Sequence, residues 1–270
     1  MRWLPTNVRI RIDGGVEFLS YINNQHPVKY QATYESIALG FRAMVPLFER
    51  VTTGLRGPKP ISYIPSLFDL SKPTGNLPLP AIVSLRGSVV QAVFALHEWS
   101  WDPMADEPVG TSEWDGTDDA VLTVGHMVVQ TENVSTARLA FCQNLQSTVT
   151  SFGGRPEPQW EDAGSIACLD NRCIVHPGYY QHQIKLAERV DATTPSSIRL
   201  LTISLLDPKK PVVSTSEVPP QRLDWIQEAI LQPISRSRGL PVDLERRIME
   251  MLGVGMSVDE ARRHRAAMRV

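Results

Sequence analysis

Residues 166–208 read IACLDNRCIVHPGYYQHQIKLAERVDATTPSSIRLLTISLLDP. Two short apolar runs, Ile166–Leu169 and Cys173–Val175, flank Asp170-Asn171-Arg172, a turn signal that predicts a hairpin. Pro177-Gly178 breaks the chain again. Gln181-His182-Gln183-Ile184-Lys185-Leu186 then alternates. As a strand it places His182, Ile184 and Leu186 on one face, and Gln181, Gln183 and Lys185 on the other. A histidine on the apolar face of a strand points inward. Ile198–Leu206 is the strongest strand pattern in the chain, and in it Arg199 shares a face with Leu201, Ile203 and Leu205. An inward His and an inward Arg on neighbouring strands suggest a small acid or a metal held inside a β-barrel.

The totals bound the rest. With 270 residues the chain can bury a substantial core. A net charge of −2 with 21% charged residues argues against a general nucleic-acid binder, which normally shows a basic excess. The 21 prolines predict many irregular connections. Cys142, Cys168 and Cys173 are odd in number and read as reduced cysteines of an intracellular protein, although Cys168 and Cys173 could face each other across the predicted hairpin. No apolar run approaches the roughly 18–20 residues of a membrane span. The start, Met1-Arg2-Trp3-Leu4-Pro5, lacks the apolar region of a signal peptide, so a cytoplasmic protein is expected and the Asn133-Val134-Ser135 sequon reads as chance.

Upstream, Val8–Ile12 and Val16–Leu19 around Asp13-Gly14-Gly15 predict a hairpin. Tyr34, Ile37, Phe41, Met44 and Phe48 fall on one face of a helix expected over Tyr30–Arg50. His26, before Pro27, reads as a turn contact. Residues 52–80 form a Pro-rich connection. Strands are expected over Ser84–Trp101, Ala120–Thr131 (with His126 inside) and Ala137–Cys142, separated by an acidic segment, Asp102–Asp119, and followed by a loop, Ser151–Gly164. Helices are expected over Pro219–Gln232 and Pro241–Leu252. A third opens on Ser257-Val258-Asp259-Glu260, a capping-box signature, and ends in the basic run Arg262-Arg263-His264-Arg265, read as a solvated helix end.

The pattern predicts an α+β protein: a double-stranded β-helix (jelly-roll or cupin-like) core with an N-terminal helix and a C-terminal helical tail. The expected parts are residues 1–51 (hairpin and helix), 52–80 (connection), 81–213 (β core) and 214–270 (helical extension), packed as one globular unit.

Several segments resemble a largely fungal family, domain of unknown function 4246. They are Ser20–Pro27, Thr131–Ser135 with Arg138–Phe141, Gly164-Ser165 through Arg172–Ile174, Tyr180–Gln183, and Arg199 leading to Leu206-Asp207-Pro208. Ser214-Thr215 with Val218–Gln221, and Met256–Ala261, complete the set. The family resembles iron- and 2-oxoglutarate-dependent oxygenases. That resemblance implies Fe²⁺ held by two histidines and a carboxylate, with an Arg on the far carboxylate of 2-oxoglutarate. His182 and Arg199 match the late half of such a site. The early half departs from it. Where members carry Trp-His-x-Glu-Gly, this chain has Ser112-Glu113-Trp114-Asp115-Gly116, and Cys142 stands where members tend to have Arg. The resemblance thus implies a metal held by His182, Asp115 and Glu113, with Arg199 as the 2-oxoglutarate anchor.

Three functions follow. The first is an oxygenase-like enzyme of small-molecule, secondary metabolism using Fe²⁺ and 2-oxoglutarate. An oxygen-rich site would lean instead towards Mn²⁺ or Mg²⁺. The second is a redox-neutral cyclase, isomerase or dehydratase, with Glu113, Asp115 and His182 as acid–base groups beside Trp99, Trp101 and Trp114. The third is a catalytically inactive binding protein. All expect a small-molecule ligand, with no nucleic acid and no membrane as partner.

Overall fold

The computed structural model describes residues 3–56, 81–102, 120–145, 159–185, 188–226, 228, 239, 241–253 and 255–267. The chain opens with β1 (Thr6–Ile10) and β2 (Val16–Phe18), the expected hairpin, followed by α1 (Gln31–Arg56). Next come β3 (Val89–Trp101), β4 (Val121–Glu132), β5 (Ala137–Leu145), β6 (Gln159–Cys168), β7 (Cys173–Pro177), β8 (Gln181–Lys185) and β9 (Ser196–Leu206). Helices α2 (Val242–Leu252) and α3 (Val258–Ala267) follow. Leu223–Ile226 forms a helical turn within the segment expected to be helical. Ser257 caps α3 through the hydrogen bond from the Glu260 amide to its Oγ, 3.2 Å.

The strands form two antiparallel sheets, a larger one in the order β2-β1-β3-β9-β4-β7 and a smaller one in the order β6-β5-β8. The chain is thus a mixed α and β protein built mostly of antiparallel sheet. Among the described residues no helix is long and apolar enough to cross a membrane.

The larger sheet is covered on both faces. On one side α1 lays down Phe41, Met44 and Phe48, all fully buried, against Val8 and Ile10 of β1 and Leu201, Ile203 and Leu205 of β9. These are residues that the helical periodicity had placed on one face. The approach is close. A Cβ on Gly125 of β4 would sit 2.7 Å from Phe48 Cζ and 2.8 Å from Met44 Sδ. On the other side the two sheets enclose a second core of Trp99, Trp101, Val128, Leu139, Ile184, Ile198 and Leu200. Alternation along β9 therefore feeds two interiors at once: Leu201, Ile203 and Leu205 face the helix, while Ile198 and Leu200 face the smaller sheet.

Three local expectations are corrected. Residues 166–175 do not form a hairpin: β6 pairs with β5 and β7 with β4, so the turn at Asn171 (φ 57°) carries the chain from one sheet to the other. Cys168 accordingly lies in the inter-sheet core, Cys173 packs on the helix side, and all three cysteines are free. The loop expected up to Gly164 is already strand from Gln159, because a bulge opposite Phe141 and Cys142 absorbs the irregular residues. The Asn133 sequon is also explained. Its side-chain amide donates to the Asp191 carbonyl (2.7 Å) and to Ser196 Oγ (2.7 Å), holding the loop before β9.

Replacing Phe48 by Ala should cost about 3–5 kcal/mol in chemical denaturation, as expected for an emptied aromatic site in a core. A loss below about 1 kcal/mol would mean that α1 is not packed as described.

Candidate metal centre

The inter-sheet space holds an unusual polar group. On β4 the alternation that sends Gly125 and Met127 towards α1 sends Val124, His126 and Val128 the other way. His126 lies in register with Ile174 of β7 and Thr202 of β9, and His176 of β7 lies opposite Val124. From the smaller sheet, His182 of β8 lies opposite Phe141 of β5. His126, His176 and His182 are 2%, 5% and 8% exposed, and one ring nitrogen from each lies within 4.8 Å of the others. The ring centroids are 4.8–5.3 Å apart.

Pro177-Gly178 sets where His176 ends up. The Gly178 amide donates to the Leu122 carbonyl at 2.9 Å, and a Cβ there would lie 2.3 Å from the Val121 carbonyl oxygen, so only glycine allows this approach. His176 Nδ1 lies 2.9 Å from the Pro177 carbonyl oxygen, which can only accept, so Nδ1 carries the proton.

Burial holds all three rings neutral. Desolvation lowers His176 to about 3, with the charge of His182 adding to it and the Pro177 carbonyl opposing. Desolvation lowers His182 to about 4; the Tyr180 backbone opposes this and His97 adds to it. Desolvation, then the neighbouring histidines, hold His126 well below the usual range. A neutral His176 protonated on Nδ1 has a lone pair on Nε2. His126 Nε2 is 3.1 Å from that atom, and His126 Nδ1 is 3.1 Å from Thr202 Oγ1. One hydrogen-bond chain therefore satisfies two rings: Thr202 to His126, His126 to His176, His176 to the Pro177 carbonyl. The third ring stands outside this chain: the Tyr180 backbone acts on it, but among the described residues its buried Nδ1 has no hydrogen-bond partner.

This donor set fits a transition metal. Zinc–imidazole bonds of about 2.0–2.1 Å place tetrahedral ligands roughly 3.3 Å apart. The His126 and His176 Nε2 atoms are 3.1 Å apart, and all three ligand atoms lie within 4.8 Å of one another, so a bound ion would draw the set closer. The Nδ1–H to backbone carbonyl bond of His176 is the support that metal-bound imidazoles usually have. A fourth imidazole, His97, shares the inner face of β3 opposite Leu200, partly buried and stacked on Trp99 at 5.7 Å. Four of the chain's 6 histidines thus face this space.

The residues expected from the sequence fare differently. His182 is in the cluster. Glu113, Asp115 and Trp114 lie outside the described residues. Arg199 and His182 are not brought together: β8 and β9 belong to different sheets, and Arg199 projects from the helix side of its sheet. There its Nε lies 2.9 Å and its Nη2 2.8 Å from Glu98 Oε1, and its Nη1 lies 2.8 Å from Gln130 Oε1. The face shared with Leu201 was read correctly, but that face packs on α1. His26 is a turn contact, as expected. Its Nδ1 accepts from the Val28 and Lys29 amides, and its ring meets Trp225 edge to face at 4.9 Å. His126 and His176 were missed as site residues. Each sits in an apolar alternating strand, and that placement was their only signal.

The neutral rings make a pH prediction. Unfolded, these histidines titrate near 6.5. Below that value the unfolded chain binds protons that the folded chain refuses, so stability is full above pH 6.5 and falls as the pH drops towards 4. Urea unfolding of chelator-treated protein should lose about 1.4 kcal/mol per pH unit for each such ring across that window. A flat profile there would show that the rings are not held neutral.

The model of the family described as "Protein of unknown function (DUF4246)" matches residues 1–72 and 113–229. The matched segments contain the N-terminal hairpin, α1 and the strands bearing His126, His176 and His182. Neither curated proteins nor solved structures return a match to this sequence. With the family model matched over well more than half of its length, the chain belongs to that family of proteins of unknown function.

Proposed function

We propose that this chain is a metal-dependent, oxygenase-like enzyme acting on a small molecule, its divalent ion held by His126, His176 and His182 inside a jelly-roll core. The observation that carries the reading is the convergence of three buried imidazoles, one of them with a ring nitrogen that has no partner among the described residues. A buried polar atom without a partner costs about 1–3 kcal/mol, and a ligand-binding role accounts for that cost.

The strand arrangement supports a double-stranded β-helix. β4, β7 and β9 lie in the larger sheet, and the strands between them, β5, β6 and β8, lie in the smaller, so the chain crosses repeatedly from one sheet to the other. Neutral imidazoles suit Fe²⁺, Zn²⁺ and Cu²⁺ better than Mg²⁺ or Ca²⁺. When bound, Fe²⁺ with three protein ligands supplies open positions for substrate and oxygen. The chain's own contribution is orientation and dryness. Thr202 and the Pro177 carbonyl fix two rings, and Leu139, Phe141, Ile184 and Leu200 exclude water. His97 lies partly buried on the same inner face. Arg199, engaged by Glu98 and Gln130, favours a centre that takes its substrate directly over one that anchors 2-oxoglutarate on that residue. The sequence-based proposal that Glu113 and Asp115 add carboxylates concerns residues outside the described part.

Anaerobic loading with Fe²⁺ should leave stoichiometric iron after desalting, and ligand linkage should raise stability by about 2.7 kcal/mol at a hundredfold excess over Kd. Protein that retains no iron, zinc or copper would end this reading. Turnover that persists in EDTA without oxygen would instead restore acid–base chemistry by His182.

The three rings should also separate in mutagenesis. His182→Leu should abolish metal retention and cost chelator-treated protein less stability than His126→Leu does, because the Nδ1 it removes has no partner among the described residues. His126→Leu should abolish retention and cost about 1–3 kcal/mol, because it strands the acceptor on His176. Equal losses of stability for the two would contradict the hydrogen-bond chain.

A further inference from the structure

The three rings are not equivalent in how they are held. His176 is fixed by a carbonyl oxygen, which only accepts, so its Nδ1 keeps the proton and its Nε2 keeps the lone pair under all conditions in which the ring is neutral. His126 is held on one side by Thr202 Oγ1, a hydroxyl that can either donate or accept. Its other nitrogen faces His176 Nε2 at 3.1 Å. With no ion present, two lone pairs cannot face each other at that distance, so the His126 proton lies on Nε2 and Thr202 donates to Nδ1. With an ion bound, His126 Nε2 must present its lone pair, and the proton must lie on Nδ1.

Building on the metal-centre reading above, we infer that Thr202 is the positioning residue that lets His126 exchange one tautomer for the other, by turning its hydroxyl from donor to acceptor. The ring stays neutral throughout. The proton leaving Nε2 passes to solvent and Nδ1 takes one up, so no charge is added to the buried space. A side chain with only one hydrogen-bonding sense at this position would lock His126 in a single state. A backbone carbonyl would hold the metal-ready tautomer permanently and leave the metal-free pair of nitrogens in repulsion. Thr202 sits in register with His126 on the central strand β9, whose buried neighbours Leu201 and Ile203 fix it in place.

The experiment uses full-length protein labelled with ¹⁵N at histidine, with and without Zn²⁺, reading the ring nitrogens by long-range proton–nitrogen correlation. Protonated and lone-pair nitrogens resonate far apart, so each tautomer is read directly. His176 should show a protonated Nδ1 in both states. His126 should move its proton from Nε2 to Nδ1 when Zn²⁺ is added. In parallel, Thr202→Val should weaken Zn²⁺ binding by about 10–100-fold, and Thr202→Ser should restore it to near wild type. A His126 tautomer that is the same with and without Zn²⁺ overturns the inference, as does a Thr202→Val protein that folds and binds Zn²⁺ as tightly as wild type. If Thr202→Val does not fold, the wild-type spectra and Thr202→Ser decide the matter. Wild-type protein that binds no Zn²⁺ overturns the metal centre itself and this inference with it, whereas normal Zn²⁺ binding with an unchanged tautomer overturns this inference alone.

Discussion

Three neutral imidazoles buried against one another between two sheets are the constraint on which the structure depends. A charged imidazole could not occupy this space without a counter-charge, and desolvation therefore keeps each ring in the form that has a lone pair to offer. The same burial makes an unpaired ring nitrogen costly. Two rings are satisfied by a chain that ends on the Pro177 carbonyl. The third projects from the opposite sheet, and among the described residues its Nδ1 has no partner.

Packing and site share their strands. β4 presents Gly125 and Met127 to the helix and His126 to the interior, so the close contact of Phe48 at Gly125 lies one residue from the imidazole on the other face. β9 does the same with Leu201 and Ile203 on one side and Thr202 on the other. A larger residue at position 125 would meet Phe48 and Met44, and the displacement would reach His126 through a single peptide unit. The helix thus packs on the opposite face of the strands that carry His126 and Thr202.

Much of this was legible in the sequence. The N-terminal hairpin, the α1 face carrying Phe41, Met44 and Phe48, the Ser257 cap and the inward aim of His182 all follow from local periodicity and turn chemistry, which single segments carry on their own. What was not legible depends on more than one segment. Alternation correctly put Arg199 with Leu201, Ile203 and Leu205, but a central strand buried on both sides has two insides, and periodicity cannot say which one His182 shares. The turn at Asn171 was visible, but whether it closes a hairpin or crosses between sheets depends on which partners the strands find. The sequence did not mark His126 and His176 as site residues, because each sits in an apolar strand; only their convergence with His182 shows them as a group. The family match reaches all three histidine-bearing strands, so the scaffold that carries them lies within its span.

The most direct test of the account is X-ray absorption at the zinc or iron edge of the reconstituted wild-type protein. The account predicts a first shell dominated by nitrogen, with the outer-shell scattering of three imidazole rings. A stoichiometrically bound ion with fewer than two imidazoles in its coordination sphere, or one held by sulfur, would contradict it.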